Sequence, residues 1–434
     1  MVFRLDKAAS RHIIPMPDIA TKMKIQADAT VAPPPGPQRL MSLDALRGFD
    51  MFWILGADSF VYALHAMSQT APTRFLAAEL DHAAWAGFHF YDLIFPLFVF
   101  MMGVSTVFSL ERIIRDEGQA AAVKRVLRRG ILLFVIGLIY SGGFTNPWPD
   151  MRLMGVLNRI ALCYTFGGLL FIFFRVRALM VIFAGLLLGY WAMLAGISFP
   201  DVRPVPGGGA VITRDAGFTN VLQLNLASTN LLRGSYVQGV NLTDYVDQKY
   251  LPGRKYDGTY DPEGILSTLP AIGSALLGIF AGLLLKNKAV SDEKKVLWLL
   301  GVGAAGVALG FLWGLEFPVI KKIWTSSYVL VAGGYSALLL GVFYWVVDIK
   351  KWRTWCQPFV WIGMNPITLY LASNFMGGLG FEKLAQRVAG GPVKGFFDTH
   401  VAAGFGNLII AATGVTLFVL FARFLHRRNI FLRL

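Results

Sequence analysis

The sequence predicts an all-α, polytopic membrane protein with about ten transmembrane helices. Hydrophobic residues make up 55% of the 434 residues, charged residues only 15%, and the mean hydropathy is +0.56. A soluble chain carries roughly 25% charged residues. Apolar segments of about 20 residues recur along the chain, which is the length that a helix needs to cross a bilayer. They do not alternate apolar and polar residues, as the strands of a membrane barrel do.

The predicted spans follow one another through most of the chain. They lie at about residues 48–67, 90–110, 126–143, 154–174, 178–198, 265–285, 296–314, 326–347, 357–377 and 405–425. The short loops on one side of this bundle hold most of the Lys and Arg residues, so the positive-inside rule places both termini in the cytoplasm. This asymmetry also accounts for most of the net charge of +14, and we expect no nucleic-acid partner.

Two segments lie outside the predicted spans. Residues 1–40 are expected to form a flexible cytoplasmic segment because "VAPPPGPQRL" is rich in proline, and Met41 is an alternative start. Residues 41–434 form the predicted membrane domain, with a periplasmic loop at about 199–263. This loop exceeds ordinary connection lengths, and its Asp, Tyr, Lys and Arg side chains offer hydrogen bonds to a sugar. A solvated connector is the alternative.

Cysteine and histidine spacing does not predict a metal or disulfide site. Cys163 lies inside a span and Cys356 at the edge of another, and the six histidines show no metal-ligand spacing. We therefore expect no metal.

The polar residues of the first spans are candidates for a functional site, because ionisable groups in a membrane are costly. Asp50 and Asp58 are eight residues apart, on roughly the same helix face, and Asp92 opens the second span. His82 lies between these spans, in the first outward loop. A carboxylate beside an imidazole can orient it as a general base, so Asp58 is the expected partner of His82.

Spacing alone also leaves purely structural roles open for these residues. His82 is equally explained as a polar residue of an interfacial loop, and Asp58 as a structural partner of Arg152 or Arg159. In "IGMNPITLY", Asn365 either satisfies a carbonyl freed by Pro366 or faces a substrate.

"YDPEG" places two acids, Asp261 and Glu263, ahead of an apolar run. Acids in this position are typical of helix capping, which explains both without a ligand.

Six stretches of the chain resemble the transmembrane acetyltransferases of the heparan-α-glucosaminide N-acetyltransferase family and their bacterial inner-membrane homologues. They are "SLDALRGFDMFWI" at 42–54, "HAAWAGFHFYDLIFPLFVFMMG" at 82–103, "MRLMGVLNRIALCY" at 151–164, "YDPEGILSTLPAI" at 260–272, "IWTSSYVLVAGGYSALLLGVFYWVVDI" at 323–349 and "GMNPITLY" at 363–370. They occur in the family's order and cover nearly the whole membrane portion.

The resemblance implies an acyl-CoA-dependent N-acetyltransferase in a bacterial inner membrane. It would move acetyl from cytosolic acetyl-CoA to an amino sugar on the periplasmic side, and a homodimer is reasonable. The family's catalytic histidine falls in an HxxWxG-like motif, here His82, Trp85 and Gly87, and the Asn or Asp position ten residues after the RG pair is Asp58. We expect the chain to lack the lumenal N-terminal domain of the animal enzymes, and its outer loop differs from theirs, so the resemblance does not extend to a heparan substrate.

We assign the remaining candidates by their position. His82 acts either as general base or as an acyl carrier. Expected substrate contacts are Trp85, Asp92, Asp261, Glu263 and Asn365. Expected contacts to the CoA phosphates are Arg47, Arg128, Arg129 and Arg159, although positive-inside charge explains the cytoplasmic ones equally well.

Two other classes of function compete with an enzyme. A secondary transporter of a sugar or small anion also fits ten spans, intramembrane acids and a helix broken near Asn365. A transporter would consume no acetyl-CoA and would make little use of a loop histidine. A membrane scaffold without activity leaves the intramembrane acids unexplained.

Overall fold

A computed structural model describes residues 40–201, 203, 229–375 and 380–432 of the chain. The predicted flexible segment falls almost entirely outside the described residues, as do residues 204–228 of the predicted periplasmic loop. The described part is mostly helical, in agreement with the predicted fold class.

The helices are numbered here in chain order. They are α1 (Met41–Phe52), α2 (Asp58–Met67), α3 (Ala71–Glu79), α4 (Phe90–Glu117), α5 (Gln119–Tyr140), α6 (Val156–Phe173), α7 (Val176–Gly196), α8 (Leu242–Tyr250), α9 (Thr268–Lys286), α10 (Asp292–Trp313), α11 (Ser326–Phe343), α12 (Gln357–Gly363), α13 (Pro366–Phe375), α14 (Gly380–Ala389), α15 (Pro392–His400) and α16 (Phe405–Arg427). A π-helical turn, Trp53–Ala57, joins α1 to α2, and another, Tyr344–Ile349, extends α11.

Seven of the ten predicted spans are helices long and apolar enough to cross a membrane, counted among the described residues. They are α4, α6, α7, α9, α10, α11 with its extension, and α16. The fold is therefore that of a helical membrane protein. The number ten and the cytoplasmic placement of the termini stay predictions.

The other three predicted spans are helical but differ from a continuous apolar span. The first is interrupted at Gly56, whose φ of 110° breaks the helical path between α1 and α2. The span at 357–377 is divided into α12 and α13 where Pro366 follows Asn365. The span at 126–143 begins within α5 and extends three residues beyond the end of that helix at Tyr140, and α5 carries four Lys and Arg residues in its first half.

Close backbone contact joins α1 to α12 beside these interruptions. A side chain at Gly48 would collide with the Phe359 carbonyl, so only glycine permits this approach. Arg47 then reaches across, and its guanidinium donates to Ser105 Oγ (2.7 Å) and to the Gly363 carbonyl (3.2 Å). The broken helices are thus fixed against α4, which carries the site described below.

The described part of the predicted 199–263 loop is a small packed structure. Its strands pair as two antiparallel ribbons, Phe199–Pro200 with Leu231–Leu232 and Tyr236–Val237 with Val240–Asn241. They are followed by α8, whose buried residues join a cluster beneath them with the apolar residues Tyr190, Phe317 and Ile320. This packing brings the outer loop against the segment that precedes α11.

Candidate functional site

The imidazole of His82 is held by the carboxylate of Asp92. His82 Nδ1 lies 2.9 Å from Asp92 Oδ1. Asp92 is in the first turn of α4, and its Oδ2 accepts from the backbone N–H groups of His89 (3.1 Å) and Ala83 (3.2 Å). A carboxylate in this place satisfies free N–H groups of the helix and complements its dipole. The same side chain therefore caps the helix, closes the loop and orients His82.

A backbone contact fixes the His82 loop to the segment before α11. Gly87 has a φ of 132°, which favours glycine, and its N–H donates to the Val319 carbonyl (2.9 Å). Ala86 pairs with Ile320 in an isolated antiparallel bridge. This pairing brings the next residue, Lys321, to the histidine.

Lys321 completes a three-membered polar cluster. Its Nζ lies 3.0 Å from His82 Nδ1, 3.3 Å from His82 Nε2 and 3.4 Å from Asp92 Oδ1. Burial lowers the pKa of Lys321 from its ordinary value, although the Asp92 carboxylate opposes that shift. The His82 side chain is about half exposed whereas that of Asp92 is 1% exposed, so the histidine alone of this pair is open to an incoming group.

The expected pairing of Asp58 with His82 is wrong. Asp58 Oδ2 instead accepts from the Tyr91 hydroxyl (3.3 Å), and Oδ1 accepts from the Ser59 N–H (2.9 Å). The ring of Tyr91 separates the two expected partners, with its centroid 5.0 Å from that of His82. Asp58 lies two residues after the break at Gly56, whose φ of 110° interrupts the helical spacing on which the predicted pairing rested.

His82, Asp92 and Lys321 line a cavity of about 520 Å³, called the first cavity here. Its polar residues are His82, Asp92, Arg152, Asp257, Glu263, Lys321 and Lys322. Its apolar residues include Met51, Ile94, Phe95, Phe98, Ile160 and Ile367. Each basic residue has an acidic partner in the same wall: Lys321 with Asp92, Lys322 with Asp257 (3.0 Å), and Arg152 with Glu263 (2.6 Å). A polar, charge-balanced region thus adjoins an apolar one.

Asp261 holds a structural ion pair with Arg152 and does not line the first cavity. Arg152 binds both of its oxygens, at 2.9 and 2.8 Å, and donates to Glu263 as well. The capping alternative is also wrong for the two acids, because α9 begins only at Thr268. Glu263 lines the first cavity, and burial together with the nearby Asp261 charge raises its pKa.

Trp85 and Asn365 are absent from the wall of the first cavity. The Trp85 indole N–H donates to the Tyr236 carbonyl (2.8 Å), so this tryptophan anchors the outer loop instead of offering a free donor. Asn365 is 3% exposed at the junction of α12 and α13, and its amide atoms have no hydrogen-bond partner among the described residues. Its neighbours Pro366 and Ile367 line the cavity in its place.

The four arginines expected to contact CoA are in different surroundings. Arg159 is fully buried, donates to Gly264 O and Ser267 Oγ, and lies over the Trp324 ring, so its guanidinium is held by groups of the protein itself. Arg47 bridges three helices as described above. Arg128 is exposed on α5, and Arg129 lies over the Tyr164 ring (4.8 Å).

Sequence reasoning missed Lys321 and Tyr91. Lys321 is one of few basic residues in the predicted outer loops and directly precedes a family-like stretch, which is a signal that could have identified it. Tyr91 offered no such signal. No cluster of three or more His, Cys, Asp or Glu residues suited to a metal ion occurs in the described ranges.

The comparisons with known proteins identify relatives over most of the chain. Residues 39–206 match the family model described as heparan-α-glucosaminide N-acetyltransferase, catalytic. The human heparan-α-glucosaminide N-acetyltransferase is 27% identical over 91% of this chain, and the mouse enzyme 26% identical over 68%. The chain spans 60% of the length of the human enzyme and its match to the mouse enzyme covers 49% of that protein. The resemblance drawn from the six motifs is confirmed.

Proposed function

We propose that this chain, a relative of the heparan-α-glucosaminide N-acetyltransferases, is a membrane acetyltransferase that uses acetyl-CoA and acetylates the amino group of a glucosamine-type sugar. The N-acetyltransferase activity named for the relatives supports the reaction class. The observation that carries the proposal is the His82–Asp92 pair at the first cavity, in the motif that resembles the family's catalytic histidine.

His82 acts as the general base in this proposal. The sugar ammonium loses a proton to the imidazole, and the resulting amine attacks the thioester carbonyl carbon. A C–N bond forms, the C–S bond breaks, and the thiolate leaves and takes up a proton as the free thiol of CoA. Asp92 accepts from Nδ1–H, which leaves Nε2 as the nitrogen that receives the substrate proton.

The surroundings of the ring favour proton transfer over an acetyl-histidine intermediate. Asp92 is at Nδ1 and Lys321 Nζ is 3.3 Å from Nε2, so both nitrogens already face hydrogen-bonding groups. A nitrogen that carries acetyl needs an open approach to the thioester carbon. A nitrogen that accepts a proton needs only hydrogen-bond contact with the substrate ammonium, which the half-exposed His82 ring allows.

Lys321 is the proposed donor to the oxyanion of the tetrahedral intermediate. A fixed N–H donor in a site with little water stabilises charge that develops on the carbonyl oxygen. Its ion pair with Asp92 and the Ala86–Ile320 bridge hold it in place before the substrate arrives.

The donor and acceptor reach the site from opposite sides of the membrane in this proposal. The charged nucleotide of CoA stays at the cytoplasmic side because an apolar core excludes it. The apolar wall of the first cavity suits the uncharged thioester arm, and the polar wall suits the sugar. The sugar arrives from the periplasm of a bacterial inner membrane.

An acetyl-transfer assay tests the function itself. Purified protein in detergent is given radiolabelled acetyl-CoA and glucosamine, and labelled N-acetylglucosamine and free CoA thiol are measured. We expect equal amounts of both products. Uptake of glucosamine into proteoliposomes without consumption of acetyl-CoA would instead assign the chain to the transporters.

A further inference from the structure

A second cavity of about 740 Å³ lies on the other side of Tyr91. It shares Ile54, Tyr91, Tyr140 and Tyr370 with the first cavity, and the rings of Tyr140 and Tyr370 stack at 4.6 Å. The shared tyrosines therefore form a wall between two adjacent spaces. A volume of this size is within the range of small-molecule pockets.

The charge of the second cavity differs from that of the first. Its lining holds two carboxylates, Asp58 and Glu382, and no lysine or arginine among the described residues. In the first cavity each acid is already paired with a basic residue of the same wall. Of these two cavities, only the second therefore offers a cation carboxylates that no basic residue of the lining neutralises. The attraction between a cation and these carboxylates is stronger there than in bulk solvent because the site is partly buried.

The other polar groups of this lining suit a polyhydroxylated ligand. Ser59, Tyr62, Ser373, Gln386 and Asn407 present hydroxyl and carboxamide groups. The Tyr62 and Ser373 hydroxyls each donate to a backbone carbonyl, so their oxygens remain as acceptors for ligand hydroxyls. Such groups distinguish a sugar from a simple alkylammonium or an inorganic cation.

We infer that the second cavity is the loading subsite for the protonated amine of the acceptor sugar, with Asp58 and Glu382 as the counter-charges. The inference rests on the proposed function and adds a binding site to it. Tyr91 donates to Asp58 on one side and contacts the His82 ring on the other, so an ammonium bound at Asp58 lies one aromatic ring away from the base. Movement of the Tyr91 side chain then admits the amine to the first cavity.

Binding without acetyl-CoA tests this subsite. Full-length protein in detergent is titrated by calorimetry with glucosamine and, as a neutral probe of nearly the same shape, N-acetylglucosamine. We expect glucosamine to bind about tenfold more tightly, because only it carries the ammonium. Glu382→Gln and Asp58→Asn are expected to remove this preference, while Glu263→Gln, in the first cavity, keeps it; melting temperatures check that each variant is folded.

Equal affinity for the two sugars would overturn the inference. So would a preference that Glu263→Gln abolishes and Glu382→Gln retains, because the ammonium would then occupy the first cavity. The proposed function is judged separately by acetyl transfer: selective binding without transfer contradicts the function alone, and transfer without a Glu382-dependent preference contradicts the subsite alone.

Discussion

Asp92 Oδ1 lies 2.9 Å from His82 Nδ1, and the same carboxylate caps the helix that begins at Phe90. The residue that orients the proposed base is therefore also the residue that caps a membrane helix. Since the carboxylate is 1% exposed and bonded to two backbone N–H groups, it has little freedom to move away from the ring.

The substitution Asp92→Asn should lower kcat strongly while the protein remains folded. An amide can still accept a hydrogen bond, but it neither fixes the tautomer of His82 nor stabilises the imidazolium. We expect a loss of roughly 10²–10⁴-fold in kcat. Asp81→Asn is the matched control: the exposed Asp81 carboxylate lies in the same loop, and its Oδ1 accepts from the backbone N–H of His82 and not from the His82 ring. Equal effects of the two substitutions would remove Asp92 from the proposed mechanism.

The substitution Lys321→Met should lower kcat with little change in KM for acetyl-CoA. Loss of one oxyanion donor costs about 10²–10³-fold in kcat, because the donor acts on charge that develops only during the reaction. Lys394→Met provides the control, since Lys394 pairs with Asp398 and does not line the first cavity. A KM effect without a kcat effect would indicate that Lys321 binds substrate and not the oxyanion.

Neutralising Arg128 and Arg129 together should raise the KM for acetyl-CoA and leave kcat nearly unchanged. Both lie in the basic first half of α5, at the end expected to face the cytoplasm and the CoA phosphates. Their contribution is electrostatic, so raising the salt concentration should increase the wild-type KM more than that of the double variant. An unchanged KM in correctly inserted protein would leave these arginines with a role in topology only.

Stability of the outer loop should fall as the pH rises towards neutrality. Burial raises the pKa of Asp247 to about 7, whereas an unfolded chain has an Asp pKa of about 3.9. Between these values the folded state holds a proton that the unfolded state lacks, so unfolding becomes easier with increasing pH until about pH 7. The Tm of detergent-solubilised protein should therefore be higher at about pH 5 than at about pH 8.

The substitution Asp247→Asn should reduce this pH dependence, because the amide does not titrate. Asp247 Oδ1 accepts from the Ile265 N–H (2.8 Å), so hydrogen exchange at Ile265 reports on the same region. Identical pH profiles for the variant and the wild type would show that Asp247 does not contribute.

The membrane class and most of the helices could be predicted from the sequence because bilayer thickness fixes the length of an apolar span. The interruptions at Gly56 and before Pro366 were harder to predict from the sequence, since apolar composition continues through both. The first interruption, at Gly56, lies within the segment whose helical spacing was used to place Asp58. Asp58 follows this interruption and accepts from the Tyr91 hydroxyl, whereas the predicted pairing with His82 assumed continuous helical spacing.

The ionic partners were the least predictable part of the site. Arg152 and Asp261 are 109 residues apart, and His82 and Lys321 are 239 apart. Their contacts depend on how the outer loops pack, and neither the length of the spans nor the helical period predicts that packing. The motif resemblance singled out His82 as a candidate but offered no way to choose between Asp58 and Asp92 as its partner.

The most direct test of the account is turnover by His82→Ala in oriented vesicles. The vesicles have the cytoplasmic face outward, contain glucosamine in the lumen and receive acetyl-CoA outside. Wild-type protein should acetylate the enclosed sugar, and His82→Ala should lose roughly 10²–10⁴-fold in rate while it inserts and melts like the wild type, since the residue is half exposed. Near-wild-type acetylation by His82→Ala would contradict the proposed role of this histidine and the mechanism built on it.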